Sequence, residues 1–582
     1  MNRASFGPQL NPDGVTFRLW APAAHRVDVL LDGTSHEMQR GAEGWYMREI
    51  ASIGAGARYR FSIDGETAVP DPAALFQPED VSGPSEVIDH QSYNWRAEGW
   101  RGRPWEDAVF IETHVGTFTP EGTCRAMIDR LDHLADTGIT ALELMPVADF
   151  PGRRNWGYDG VLWYAPDASY GRPDDLKALI DEAHLRGLMV FLDVVYNHLG
   201  PEGNHLGRYA PSFFSSAQTP WGNAIDYRVP QVRKFAVENA LHWLRDYRFD
   251  GLRLDAVHAI DAAEDLLLRD LSIAAGTFAR DSGRHTHLVL ENDSNRGRLL
   301  DPFTEPPAGK YRAQWNDDYH HAWHVLLTSE TFGYYRDYQP PLPHLVRALE
   351  SGFAYQGEPS AHRGNVPRGE PGGHLPPAAF VNFIQNHDQI GNRARGDRLA
   401  ARPAAVEAAL AITLLAPMIP MLFMGEEWSA TAPFPFFCDF HGDLAQAVRD
   451  GRRREYKQAH EAFGDDVPDP VDQATFISAK LDWRQLQSPE GQRRHAFVRK
   501  LLTLRHTHIV PRLHAAAFGG AHAAPDGTLF ASWILDDRRL TLTANLSSDP
   551  SATEPARGGE IIWGEPGPLA PWAVCWALES QR

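Results

Sequence analysis

The chain has 582 residues, with 56 Lys and Arg against 76 Asp and Glu, giving a formal net charge of −20. It is well beyond the roughly 250–300 residues at which a single core stops growing, so about two to four domains are expected. Hydrophobic residues make up 43% and charged residues 23%, an ordinary globular usage that excludes a largely disordered chain. The acidic balance argues against a nucleic-acid or anionic-membrane partner, whose phosphates it would repel.

The opening residues, MNRASFGPQLNPDG, lack the apolar core of a signal peptide. Residues 1–90 then read as a small β-sandwich. Val15, Phe17 and Leu19 alternate with polar residues in GVTFRLWAP, RVDVLL repeats the pattern, and YRFSIDG repeats it again before an Asp-Gly turn. The proline-rich run 69–87 cannot pair as a central strand and reads as a lead-out across the domain surface.

From residue 109 short β-rich runs recur, most separated by helix-like segments. They are 109–118, 139–147, 188–198, 249–260, 287–293, 311–318, 379–391 and 419–428. Eight such runs joined by crossovers predict an α/β fold, a closed (β/α)8 TIM barrel occupying residues 91–510. The interval between the fifth and sixth runs leaves room for a short helix at most. Two long excursions, 199–230 and 319–378, carry most of the loop content, and loops this long are usually functional. The apolar stretch 408–424 is broken by Pro417 and Pro420 and reads as a buried helix running into a buried strand, too short for a bilayer span. A helix over 491–508 closes the barrel, and residues 511–582 alternate again as a small antiparallel β-domain. Cys124, Cys438 and Cys575 are far apart and form no CxxC pair, so neither a disulfide framework nor a structural zinc site is expected. A cytoplasmic protein follows from these features.

Catalytic groups in barrel enzymes lie at the carboxyl ends of strands. Here that end carries Asp193, Asp255, Glu291, Asp317 and Asp388 on the third to seventh runs. Buried uncompensated carboxylates are costly, so five at one barrel mouth form a constellation. Arg253 and Asp255 are two residues apart on one strand and share a face, which lets the cation keep Asp255 ionised. Glycoside hydrolysis needs such a pair of carboxyls in opposed protonation states. Acids on adjacent strands can lie about 5–5.5 Å apart, the separation for retention through a covalent intermediate.

At these residues the sequence is similar to the α-amylase superfamily of glycoside hydrolases. DVVYNH (193–198), GLRLDAVH (251–258), Glu291 after HLVL, and NHD (386–388) resemble its four ordered motifs, and GEEW (425–428) its eighth-strand motif. The resemblance implies Asp255 as nucleophile, Glu291 as general acid/base and Asp388 as transition-state stabiliser. It implies that Asp193, His198, Arg253 and His387 serve the glucosyl unit at the cleavage site, with Tyr158 of NWGYDG as the aromatic platform beneath it. The N-terminal segment is similar to the sandwich modules ahead of glycogen-branching and debranching members. Within the superfamily, LDAVHAI, LENDSN, QWNDDYHH and NHDQIGNR most resemble the branch that cleaves the α-1,4 bond next to the terminal trehalose of maltooligosyltrehalose. That places His258, Asn316, Asp317 and Gln389 near the leaving trehalose, and it implies functional coupling to a maltooligosyltrehalose synthase. Leu290 stands where many amylase relatives have a small residue before the acid, and Leu-Glu-Asn fits the trehalose-releasing branch.

Duller readings stand beside these. Asp193 and Asn197 can simply tie down a loop, although the counterpart of Asn197 binds calcium in some secreted relatives. No second ligand set is evident, so no metal and no cofactor are expected. His320, His321 and His324 read as a partly solvated helix face, and Arg452, Arg453 and Arg454 likewise. A glycogen-branching or debranching enzyme is the alternative function, and a non-catalytic glycogen-binding protein is another.

Overall fold

The alternation of apolar residues in the first ninety positions closes two small antiparallel sheets face to face. The computed structural model describes residues 5–260, 263–302, 309–399, 402–455, 467–553 and 559–580. One N-terminal sheet contains Gly14–Trp20 and Trp45–Ala51, the other Val27–Leu31 and Arg58–Ile63. Val15, Phe17, Leu19, Val27, Val29, Tyr59 and Phe61 form the core between them. The turn after Ile63 holds Asp64 and Gly65 at φ 52° and 75°, a left-handed pair that Asp and Gly tolerate.

The proline-rich run after this sandwich departs from expectation. It does not cross the surface: Val69, Asp71, Ala73, Ala74, Phe76 and Gln77 are all buried. Tyr59 Oη donates to Asp71 Oδ2 at 2.7 Å, while Ala74 and Val81 pack against Val161 and Leu162 of the next domain. Val69 at its start and Ser85 and Glu86 at its end pair with strand Arg58–Ile63, and the proline-bearing middle wedges between two packed bodies.

All eight β-rich runs become strands of one closed parallel barrel. The strands are Phe110–Thr113, Ala141–Leu144, Met189–Val194, Gly251–Leu254, His287–Leu290, Ala313–Trp315, Phe380–Asn382 and Ile419–Phe423. The first pairs with the eighth, with Glu112 opposite Phe423. Helices Leu131–Thr137, Pro173–Leu185, Pro230–Asp246 and Glu264–Ser282 follow strands one to four. Between strands five and six the described residues form only the single turn Gly297–Leu299; residues 303–308 of that connection lie outside the description. The apolar stretch 408–424 is helix Pro403–Leu415 running into strand Ile419–Phe423.

Helix Pro489–Leu504 closes the barrel, and at its end the buried Arg505 donates to the carbonyls of Leu414, Ala416 and Met418 at 3.2, 2.6 and 2.6 Å. One side chain therefore satisfies three carbonyls left open between the last helix and strand. Beyond it lies a five-stranded antiparallel sheet from Ala516 to Ser580. Its Trp576 donates to Ala411 O at 3.2 Å, anchoring the sheet to the barrel.

Register sets the height of the acids. Strands three and four pair with Asp193 opposite Arg253, and strands four and five with Leu254 opposite Leu290. Asp255 and Glu291 therefore leave neighbouring strands at the same level. The fourth strand begins at Gly251, where a Cβ would stand 2.1 Å from the Phe191 ring and 2.5 Å from His287 O. Gly251→Ala is expected to destabilise the protein by about 1–3 kcal/mol through overpacking, read as a lower melting temperature.

Candidate active site

The site is built around one cation. Arg253 points inward from the fourth strand and is fully buried, and its face packs 4.1 Å over the Trp315 ring. Its Nη1 donates to Asp193 Oδ2 at 2.5 Å and to Asp255 Oδ1 at 2.8 Å; its Nη2 donates to Glu291 Oε2 at 2.7 Å. Acids from strands three, four and five thus share one guanidinium, the planar fork suited to such pairing.

Asp255 has donors on both oxygens, since Asn197 Nδ2 reaches Oδ2 at 2.6 Å as well as the Asp255 carbonyl at 2.9 Å. Glu291 is held differently. Its Oε2 also accepts the Ala256 N–H at 2.8 Å, and Ala256 adopts a left-handed conformation, φ 38°, to deliver it. Among the described residues, Glu291 Oε1 has no hydrogen-bond partner. The two side chains are 12% and 14% exposed, enough to be reached from the barrel mouth. Burial and the neighbouring Glu291 push Asp255 up from its ordinary pKa, against Arg253, His198 and Asn197. Asp193, deeper, is pushed to about 6 by burial despite Arg253.

The third acid joins through a histidine. Asp388 is 37% exposed, with Oδ1 3.4 Å from His387 Nε2. Burial would raise its pKa, but the His387 charge overrides this and holds it below the ordinary value. The His387 ring stacks on Tyr158 at 4.9 Å, and Tyr158 Oη donates to Asp193 Oδ2 at 2.6 Å. His198 Nε2 donates to Tyr158 O at 2.8 Å, and its ring lies 3.7 Å from that of Trp221 on the excursion after strand three. An unbroken chain of contacts therefore links Asp255, Glu291, Arg253, Asp193, Tyr158, His387 and Asp388.

Glu291, Asp317, Asp388, His258 and Gln389 line one cavity of about 190 Å³. Burial and Glu291 push Asp317 well above its ordinary range, and burial lowers His258 to about 4. Gln389 Nε2 donates to His321 Nε2 at 3.4 Å. The far wall comes from the excursion before strand seven, through Tyr334, Tyr338, His362, Arg363 and Arg368. Arg368 clasps it in place: Nη1 meets Asp318 Oδ1 at 2.7 Å, Nη2 meets Asp293 Oδ1 at 2.9 Å, and Nε donates to Asp293 O at 2.7 Å.

Other expected residues are placed differently. Asn316 is fully buried: its Nδ2 donates to Gly352 O at 2.9 Å and Asn382 Oδ1 at 2.8 Å, and its Oδ1 caps helix Asp317–Thr328 through Tyr319 N at 3.4 Å. It shapes the wall and turns no atom to the cavity. The three histidines on that helix are not a solvated face; His320, His321 and His324 are all buried. His320 Nδ1 bonds Ile384 O at 2.7 Å and His324 Nε2 pairs with Glu330 at 2.7 Å, so buried partners explain their spacing. Arg453 and Arg454 are exposed, whereas Arg452 lies 4.2 Å over the Phe436 ring. Asn197 does more than tie down a loop, since it touches the proposed nucleophile. Sequence reasoning passed over Glu112 and Glu143, and their signal is an acid inside an otherwise apolar barrel strand.

The comparisons with known proteins agree with this geometry. Residues 96–211 match the family model "Alpha amylase, catalytic domain", residues 5–78 "Carbohydrate-binding module 48 (Isoamylase N-terminal domain)", and residues 516–576 a domain of unknown function. A malto-oligosyltrehalose trehalohydrolase from Deinococcus radiodurans is 42% identical over 545 residues, covering 93% of this chain and 88% of that one. The protein of the same name from Mycobacterium tuberculosis is 40% identical over 567 residues, covering 94% and 96%. The chain belongs to the malto-oligosyltrehalose trehalohydrolase family. Within the α-amylase superfamily this makes it a glycoside hydrolase with a TIM-barrel catalytic domain. A crystal structure from Salmonella typhimurium superposes with a TM-score of 0.94 at 45% identity, covering 100% of both chains. Among the described residues no helix is long and apolar enough to cross a membrane.

Asn197→Ala removes the donor on Asp255 Oδ2 while leaving Arg253 in place. A hydrogen bond to a charged group is worth about 1.5–3 kcal/mol. The variant should therefore melt at a lower temperature, and steady-state kinetics should show kcat falling about tenfold to a hundredfold with KM little changed.

Proposed function

We propose that this glycosidase cleaves the α-1,4 bond next to the terminal trehalose of maltooligosyltrehalose, with retention of configuration. Asp255 attacks the anomeric carbon, while Glu291 gives its proton to the glycosidic oxygen and trehalose leaves. Glu291 then takes a proton from water, which attacks the same carbon and releases the glucan and the free Asp255 carboxylate. Asp388, kept ionised by His387, faces the positive charge that develops on the sugar ring.

The difference between the two acids carries this reading. Both oxygens of Asp255 accept from donors, the condition of an ionised nucleophile. Among the described residues Glu291 Oε1 has no partner, the position for a proton, and Glu291 borders the cavity. Among the described residues that cavity is lined by no aliphatic side chain; its wall is charged, amide, hydroxyl, imidazole or tyrosine. Such a lining suits a polyhydroxylated leaving group and rejects an apolar one. His258, Asp317 and Gln389 are the residues we assign to the departing trehalose, with Asn316 holding their wall. Asp193, His198, Arg253, His387 and Tyr158 are assigned to the cleaved glucosyl unit. In domain terms the reading gives residues 1–90 to the sandwich, 91–510 to the barrel and 511–582 to the C-terminal sheet. It puts the enzyme in the cytoplasm, where free buried thiols such as Cys124, Cys438 and Cys575 persist, downstream of a maltooligosyltrehalose synthase.

Incubation with maltotriosyltrehalose should release trehalose and maltotriose, the new reducing end appearing first as the α-anomer by NMR. Absence of trehalose would overturn the specificity, and an initial β-anomer would overturn the double displacement. Asp255→Ala should lower kcat about 10⁴-fold or more, because no other group supplies the covalent route.

A further inference from the structure

Behind the sugar-facing acids, the first barrel strand carries a carboxylate that touches none of them. Glu112 is 1% exposed and faces the barrel interior. Its Oε1 meets His387 Nδ1, and its Oε2 accepts the His387 backbone N–H at 3.0 Å. His387 Nε2 in turn lies 3.4 Å from Asp388 Oδ1. The ring cannot swing out of this line: Tyr158 stacks on it at 4.9 Å, and Trp156 stands perpendicular to it at 5.3 Å. We propose that Glu112 is a positioning residue, which fixes His387 as an imidazolium so that Nε2–H is always available to Asp388 and the bound sugar.

Elementary hydrogen-bond chemistry carries the argument. An ionised carboxylate only accepts, and a neutral imidazole has a single N–H. A histidine with a carboxylate at each ring nitrogen therefore satisfies both only when doubly protonated. Burial would strip this charge, but Asp388 and Glu112 outweigh it and hold His387 well above its ordinary pKa. The other groups around it do not supply the charge. Glu143, opposite Glu112 on the second strand, is pushed well above its ordinary range by burial and by Glu112 itself, and its Oε1 is buried without a partner. His114, two residues after Glu112, is pushed to about 3 by burial and is neutral. Tyr158 is kept protonated by burial and Asp193. Arg253, across the Trp315 ring, is committed to Asp193, Asp255 and Glu291. Glu112 is thus the counter-charge that lets a second cation exist beside Arg253 in the barrel.

The proposal rests on the glycosidase reading above, and its test is separable from that reading's specificity. The pH profile of kcat/KM is recorded for Glu112→Gln on whichever α-1,4-glucan the unmodified protein cleaves. Without the buried anion, His387 falls toward the ordinary histidine range near 6.5, so the alkaline limb moves down. kcat/KM at pH 8, relative to pH 5.5, should drop about thirty-fold more than in the unmodified protein. In a His387→Asn background the same substitution should add little, because its target is gone. A loss equal at every pH, or effects of the two substitutions that simply multiply, would overturn the proposal.

A second measurement needs neither activity nor the Glu112 variant. A histidine whose folded pKa is raised stabilises fully below its unfolded value, and that stability drains away as pH climbs toward the folded value. The melting-temperature gap between the unmodified protein and His387→Asn should therefore narrow steadily above about pH 6.5. A gap that stays constant or widens there excludes a fixed imidazolium.

Discussion

One buried guanidinium has to serve three carboxylates, and the rest of the molecule is arranged to let it. Arg253 cannot be moved a strand away, because Asp193, Asp255 and Glu291 reach it from three consecutive strands. The register of the closed parallel sheet brings Asp255 and Glu291 to one height, with Asp193 deeper, opposite Arg253. Trp315 covers the face of the cation and denies it water, which strengthens each pairing. Removing the cation would leave several acids together in a dry interior, the costliest arrangement for buried charge.

Charge in the barrel is therefore organised as two centres. Arg253 gathers Asp193, Asp255 and Glu291; His387 is sandwiched between Glu112 and Asp388. Tyr158 joins them, stacking on His387 while bonding Asp193. Glu143, opposite Glu112 on the second strand, is held well above its ordinary pKa by burial and by Glu112.

Much of this was legible in the sequence, for definite reasons. Two-residue alternation exposed the N-terminal sandwich at Val15, Phe17 and Leu19, and eight apolar runs punctuated by helices gave the barrel. The acids at strand ends were readable because a carboxylate closing an apolar run has no structural reason to be there. What stayed hidden depends on contacts remote in sequence. The three histidines at 320, 321 and 324 look solvated until the excursion after them is folded over their helix. The proline-rich run after Val69 looks like surface because proline speaks only about pairing, not about what packs on top. Asn316 and Asp317 are neighbours with opposite fates, one a buried cap and the other at the cavity, and only the helix start between them decides which is which. The carboxyls of Glu112 and Glu143 sat inside strands rather than at their ends, where an acid is easily read as an accident of composition.

The clasp of Arg368 on Asp318 and Asp293 has a consequence for how such enzymes diversify. It ties the cavity-lining end of that excursion to the loop after strand five, leaving Arg253 and its acids untouched. A lineage can therefore recut that end like a die in a press, giving the cavity a new outline while the acids around Arg253 stay the same.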